Sequence, residues 1–155
     1  MALFPCGKGG GELVEYGYKG KGVTIHSLVD ANGRPLSISS SSANVDERLE
    51  VEVLLNKLPK HPLSIYADKG YDAEWLRFKL TTEYLISTHI PKRKWPKSKV
   101  PQPITQNKRW VVERTFSWYQ RKFRRINIKW ERLKSPWLAF LNIAPIYHWM
   151  QISVG

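Results

Sequence analysis

The chain has 155 residues, 25 of them Lys or Arg and 13 Asp or Glu, for a formal net charge of +12; this length suits one domain, and the charge points to a polyanionic partner. A lone cysteine, Cys6, excludes an internal disulfide and a cysteine-based zinc site, and the four histidines have no ligand spacing. MALFPCGKGGG is not a signal peptide, and the most apolar run, WLAFLNIAPIYHWM, is shorter than the roughly 20 residues of a membrane span, so it reads as a buried C-terminal helix of a cytoplasmic protein.

The Gly-rich opening reads as turns and fails the phosphate-loop pattern, because Gly22 is followed by Val23. VTIHSLVD (23–30) and PLSISSSS (35–42) are strand-forming runs joined by ANGR, whose Asn-Gly signals an antiparallel hairpin. A helix is predicted over 47–58, capped by Asp46, with Leu49, Val53 and Leu54 on its buried face, and Pro59 ends it. A short strand follows at 63–67, then a helix over 72–83 capped by Asp72, and a strand over 84–91 closed by Pro91. A hairpin followed by alternating helices and strands predicts an α/β domain, a mixed sheet with helices packed on it.

From here the charge changes. Residues 1–90 carry 10 Lys/Arg against 11 Asp/Glu, a net −1, whereas residues 91–155 carry 15 against 2, a net +13. The excess begins in a Pro-rich basic loop, 92–107, and is interleaved with Trp95, Trp110, Trp118 and Trp130, the footprint of a nucleic-acid partner whose phosphates meet cations and whose bases stack on rings. The next segment, RWVVERTFSWYQRKFRR (109–125), is a predicted helix with one acid, Glu113, among six cations. Val112, Phe116, Tyr119 and Phe123 share the predicted core face; Arg114, Trp118, Arg121 and Arg125 lie about 200° away on a basic face, and Glu113 falls between the two.

The other candidate acid is Asp68 in YADKGYD, just beyond a predicted strand, where open α/β sheets tend to place ligands. Taken singly, Asp68 reads as a turn cap and Glu113 as an ion-pair partner of Arg109. Together they suit phosphodiester chemistry. Like charges 4 Å apart cost about 4 kcal/mol at an effective dielectric of 20, so converging carboxylates need cations, and magnesium takes oxygen ligands.

The combination of KGGGE, YGYKGKGVTIHSLVDANGRPL, ANVDE, YADKGYD and KRWVVERTFSWYQRKFRR resembles insertion-sequence transposases of the DDE class, in the branch of insertion sequences four and five, from about residue 7 to 150. The resemblance implies an RNase H-like domain that binds DNA, at transposon ends and target, and carries out metal-dependent cleavage and strand transfer with Mg2+ or Mn2+. It implies that Asp68 and Glu113 are the second and third acids and metal ligands of the catalytic triad. Arg109 matches the signature arginine that orients phosphate or the glutamate. Arg114, Trp118, Arg121, Lys122, Arg124 and Arg125 are the expected DNA-binding set, and the complete transposase is expected to be a nucleoid-associated homo-oligomer.

The first acid departs from the pattern, since MALFPC stands where an Asp-Gly pair is expected, and Gln106 and Gln120 replace the signature tyrosine and lysine. The expectation is a catalytic domain truncated at its N-terminus and inactive by itself, for which Glu12, Glu15 and Asp30 are the nearby substitute acids. The competing readings are a non-enzymatic DNA-binding remnant and a basic RNA-binding domain.

Overall fold

A computed structural model describes residues 2–93 and 109–154, with the side chain of Arg109 outside that set. In chain order the elements are β1 (Ala2–Leu3), β2 (Glu15–Gly17), β3 (Gly20–Val29), β4 (Pro35–Ser42), α1 (Glu50–Leu55), β5 (Ser64–Tyr66), α2 (Glu74–Thr82), β6 (Ser87–His89), α3 (Arg109–Lys122) and α4 (Lys134–Val154), with 3-10 turns at Lys69–Tyr71 and Arg124–Ile126.

The predicted hairpin is the centre of the fold. β3 and β4 pair antiparallel from Val23↔Ser42 to Leu28↔Ser37, with a register shift between Leu28 and Val29. Gly33 takes the left-handed φ of +84° that the turn requires, and Asp30 Oδ1 accepts from the backbone N–H groups of Asn32 at 2.9 Å and Arg34 at 2.8 Å. Strand alternation then divides the chain into two cores. Val23, Ile25 and Ile38 face Phe116, Tyr119 and Ile126 and the α4 residues Trp137, Leu141 and Ala144. Complete burial of a side chain such as Ile25 contributes about 1.5–3 kcal/mol. From the opposite face of β3, Leu28 packs on a second core built by Val51, Leu55, Ile65, Leu76, Leu80, Ile86 and Ile90. Here β5 and β6 pair in parallel, and α2 is the crossover that such a pair needs.

The protein is therefore mixed α/β as expected, but its strands form two sheets. β1 pairs with β3 on the edge away from β4, and β2 pairs with the first residues of β3 on the other edge, while among the described residues β5 and β6 stand apart as a two-stranded sheet.

Several predicted boundaries shrink. The 47–58 helix is regular only over Glu50–Leu55, preceded by a turn in which Asp46 accepts from Arg48 N at 3.0 Å; its buried residues are Val51, Leu54 and Leu55, whereas Leu49 and Val53 are exposed. Asp72 does not cap α2, whose N-cap is Ala73, because Arg77 Nη2 holds its carboxylate at 2.8 Å. The strand predicted over 84–91 is Ser87–His89, since Leu85 has a φ of +56° that no strand accommodates.

The Gly-rich start is a docked strap. Gly9 N donates to Lys129 O at 3.2 Å, Lys129 N to Cys6 O at 2.9 Å, Glu12 N to Arg132 O at 2.8 Å, and the backbone N–H of Lys134 to Glu12 Oε2. A Cβ on Gly9 would lie 2.1 Å from the Trp130 carbonyl oxygen, so glycine is what permits the approach. The C-terminal helix also departs from expectation. It is longer than the 137–150 run and buries only Trp137, Leu141 and Ala144, leaving Ile143, Ile146, Tyr147, Met150 and Val154 exposed. Among the described residues no helix is long and apolar enough to cross a membrane.

Candidate active site and nucleic-acid interface

Asp68 directly follows β5 and Ala67 and is the N-cap of the 3-10 turn. Its Oδ1 accepts from Gly70 N at 2.8 Å, which is the turn-capping arrangement. A Cβ on Gly70 would sit 2.8 Å from that same oxygen, so the glycine of YADKGYD keeps the carboxylate in place. The half-buried Asp68 has acidic company that spacing along the chain did not reveal. Burial, and then the charges of Glu47 and Asp68, push the Tyr71 hydroxyl well above the usual phenol range, with Glu50 adding to the effect. Glu47 comes from the ANVDE segment, and only its placement beside the β5 turn brings it near Tyr71.

Glu113 is half-buried on α3, between the core and solvent faces as its position in the helix predicts. The helix is fixed at this point by its neighbours. Arg114 Nη2 donates to Asn32 O at 2.6 Å, and Thr115 Oγ1 donates to Gly33 O at 2.7 Å, so the hairpin turn grips the first half of α3. Arg109 begins the helix, but its side chain, with Gln106, Trp95 and residues 94–107 of the basic loop, lies outside the described residues. Asp68 lies between Ala67 and Tyr71, which pack in the second core, and Glu113 lies on the helix that covers the first. Among the described residues no three or more His, Cys, Asp or Glu side chains form a group able to hold a metal ion. Carboxylate oxygens such as those of Asp68 and Glu113 are the donors that magnesium takes. Two of the three substitute acids are engaged elsewhere, Glu12 at the start of α4 and Asp30 in the hairpin turn, while Glu15 is exposed on β2.

The cations of the α3 region differ in what they are free to do. Arg114 is anchored to Asn32 and lies 5.0 Å from the ring centroid of Trp110. Arg125 pairs with Glu131 at 3.1 Å. Arg121, Lys122 and Arg124 are exposed, and among the described residues their one side-chain hydrogen bond is the 3.4 Å contact from Arg121 Nε to Ser117 O.

Trp118 was expected on the open basic face; it is half-buried instead. Its ring meets His148 at 4.5 Å, Tyr119 at 5.7 Å, Phe123 at 6.0 Å and, nearly parallel, Tyr147 at 6.1 Å, forming an aromatic seam between α3 and α4. The predicted core face is likewise rotated slightly, with Val111, Thr115, Phe116 and Tyr119 buried and Val112 and Phe123 half-buried. Exposed rings beside cations occur at Trp110, at Trp130 with Lys8, and at Tyr16 with Lys21.

The family model described as "Transposase DDE domain" matches residues 6–147. A Burkholderia cepacia protein named "Putative transposase for insertion sequence element IS402" is 35% identical over 128 residues, covering 76% of this chain and 58% of the relative. The chain thus spans little more than half the length of that relative. No solved structure matches. The match over nearly all of the chain, through both YADKGYD and the α3 segment, means that this protein belongs to the DDE transposase family of insertion sequences.

Proposed function

We propose that the chain is the RNase H-like, DNA-binding catalytic part of a transposase in which Asp68 and Glu113 are two of three metal-binding carboxylates, and that residues 1–155 bind DNA without cleaving it. What supports this reading is that Asp68 stands at a strand end and Glu113 on the cationic helix, while no group of three or more His, Cys, Asp or Glu able to hold a metal is found among the described residues. The strand edges support it. Among the described residues β1 pairs with β3 at Ile25 and His26, continued by a bridge from Cys6 to Gly22, and β5 has a strand on one side only. A strand between β3 and β5 would merge the two sheets into one mixed sheet and bring a carboxylate beside Asp68.

The DNA surface in this reading is Arg121, Lys122 and Arg124, extended by Arg114 and Arg125 and by the masking of phosphate charge along the helix. Trp110 and Trp130, exposed beside cations, serve as stacking platforms, and Trp118 positions α3 on α4. The acids then have separate tasks: Asp68, held by Gly70 N, presents its second oxygen, and Glu113 approaches from a helix pinned by Arg114 and Thr115.

The test is a nicking assay on transposon-end DNA with magnesium or manganese. Residues 1–155 are expected to retard the DNA without nicking it, and a longer chain with an Asp on an added strand before β1 is expected to nick it, losing that activity on Asp68→Ala or Glu113→Ala. Robust cleavage by residues 1–155 that Asp68→Ala abolishes would overturn the proposal. A DNA-binding remnant is the outcome if the longer chain is also inert, and preference for structured RNA over duplex DNA at matched salt would indicate an RNA-binding domain.

A further inference from the structure

The Asn32–Gly33 turn is flanked by two arginines, each held over an indole. Arg34 lies 5.6 Å from the ring centroid of Trp149, whose Nε1 donates to Pro35 O at 2.7 Å. Arg114 lies 5.0 Å from the ring centroid of Trp110 and donates to Asn32 O at 2.6 Å. The turn, the first half of α3 and the second half of α4 thus bring two guanidinium groups together. Arg48, Arg77 and Arg125 each face a carboxylate, at 2.5, 2.8 and 3.1 Å, whereas among the described residues no carboxylate pairs with Arg34 or Arg114. Asp30, the acid of the turn itself, turns Oδ1 to the backbone N–H groups of Asn32 and Arg34.

We infer that Arg34 is a DNA-contacting residue and that, with Arg114, it clamps the phosphates beside Glu113. The inference rests on the reading of the chain as the DNA-binding part of a transposase, and it adds a contact from outside the α3 region. A guanidinium stacked on an aromatic ring keeps its N–H edge for bidentate bonding to phosphate, and the ring fixes its direction beforehand. Arg114 spends one of its five donors on Asn32 O and retains the others. Arg34 is half-buried and Trp149 is 38% exposed, so the stem of the arginine is covered while the pair stays within reach of a ligand.

The spacing along α3 fits one duplex. Trp110, Arg114, Ser117 and Arg121 are exposed and fall within a sector of about 60°, taking 100° per residue. From Arg114 to Arg121 the helix advances about 10 Å at 1.5 Å per residue, and the major groove of B-DNA is about 12 Å wide. The stripe therefore bridges a groove, with Arg34 and Arg114 at the phosphates of one strand and Arg121 and Lys122 at those of the other. Glu113 adjoins Arg114, so the strand held at the turn is the one presented to this candidate catalytic acid. Composition hides the contact, because residues 1–90 carry a net −1. Only the docking of the turn on α3, where Thr115 Oγ1 donates to Gly33 O at 2.7 Å, brings Arg34 to the basic helix.

Fluorescence anisotropy of residues 1–155 on a labelled DNA duplex, over a range of salt concentrations, tests it. Arg34→Ala is expected to reduce the slope of log affinity against log salt by about 1, and Arg34→Ala with Arg114→Ala by about 2, with an unchanged circular dichroism spectrum. Lys60→Ala removes an equal charge from an exposed position between α1 and β5 and is expected to leave the slope as it is. In a Cys6→Ser background, a benzophenone attached through Ala31→Cys, exposed on the turn, is expected to crosslink to the duplex on irradiation, whereas one attached through Glu83→Cys at the end of α2 is not. The crosslink reports proximity even if the arginine variants fold poorly. A wild-type slope for folded Arg34→Ala, or an Ala31→Cys label that crosslinks no better than the Glu83→Cys label, would overturn the inference while duplex binding itself persists and the wider reading stands. Failure of residues 1–155 to bind any duplex would overturn both.

Discussion

Acidification from pH 7 to pH 5 should destabilise this protein by about 2 kcal/mol through one side chain, His26. The ring is 1% exposed on β3; its Nε2 lies 2.8 Å from Ser41 Oγ, and Nδ1 has no hydrogen-bond partner. Burial holds the imidazole at about 3, against an ordinary value of 6.5. The folded protein therefore keeps His26 neutral, while the unfolded chain takes up a proton below pH 6.5. The contribution is intact above pH 6.5 and declines as pH falls from there towards 3. Each unit is worth about 1.4 kcal/mol, which gives roughly 2 kcal/mol by pH 5 and on the order of 5 kcal/mol over the whole interval, a large share of a typical 5–15 kcal/mol stability. Urea unfolding at pH 7, 6 and 5 of the wild type and His26→Gln measures it, since the variant retains a polar partner for Ser41 but cannot titrate. His148, held low by burial and Arg114, is common to both proteins and cancels. Parallel stability profiles for the two proteins, or a His26 ring signal titrating near pH 6.5 in the folded state, would refute the reasoning.

Trp118→Ala should lower stability by about 2–4 kcal/mol, the range for large aromatic truncations at a half-buried seam, and, after correction for folding, weaken single-stranded and duplex DNA equally; selective loss on single strands would restore it as a stacking platform. Log DNA affinity should fall with log salt at a slope of about −5 for six phosphate contacts, and Lys122→Ala with Arg124→Ala should reduce that slope by about 2, measured by fluorescence anisotropy. Gly9→Ala, which drives a Cβ to 2.1 Å from the Trp130 carbonyl, should cost about 2–4 kcal/mol in thermal unfolding, whereas Gly10→Ala meets no atom within 4 Å and is penalised only by its φ of +63°.

The hairpin was readable because every local signal agrees: strand-forming runs on both sides, Asn32-Gly33 between them, and Asp30 positioned to accept the turn's N–H groups. Helix ends were less so, since Asp46 and Asp72 are good caps by type but each is taken by an arginine, Arg48 or Arg77, which local spacing does not announce. The α3 faces were displaced because Thr115 is drawn to Gly33 O, 82 residues earlier, an attraction invisible in helical periodicity. The open side of Trp118 was misread for the same reason: the partners that cover it, Tyr147 and His148, lie on α4. Asp68 and Glu113 stood out as isolated acids at a strand end and on a basic helix, but Glu47 did not, because only the turn after β5 shows that its charge reaches Tyr71.

The docked Gly-rich strap sets an order of events during synthesis. Its partners, Lys129, Trp130, Arg132 and Lys134, are made more than a hundred residues after Gly9. The β3–β4 hairpin, its pairing with β1 and the second core need only the first 93 residues and can form on the ribosome, whereas the stretch from Gly9 to Glu12 has no backbone to dock against until residues 129 to 134 emerge. Such a long loop closes late. Chains interrupted before residue 129 would leave the glycine segment around Gly9 loose, which makes prematurely terminated products the form of this protein most exposed to proteolysis there.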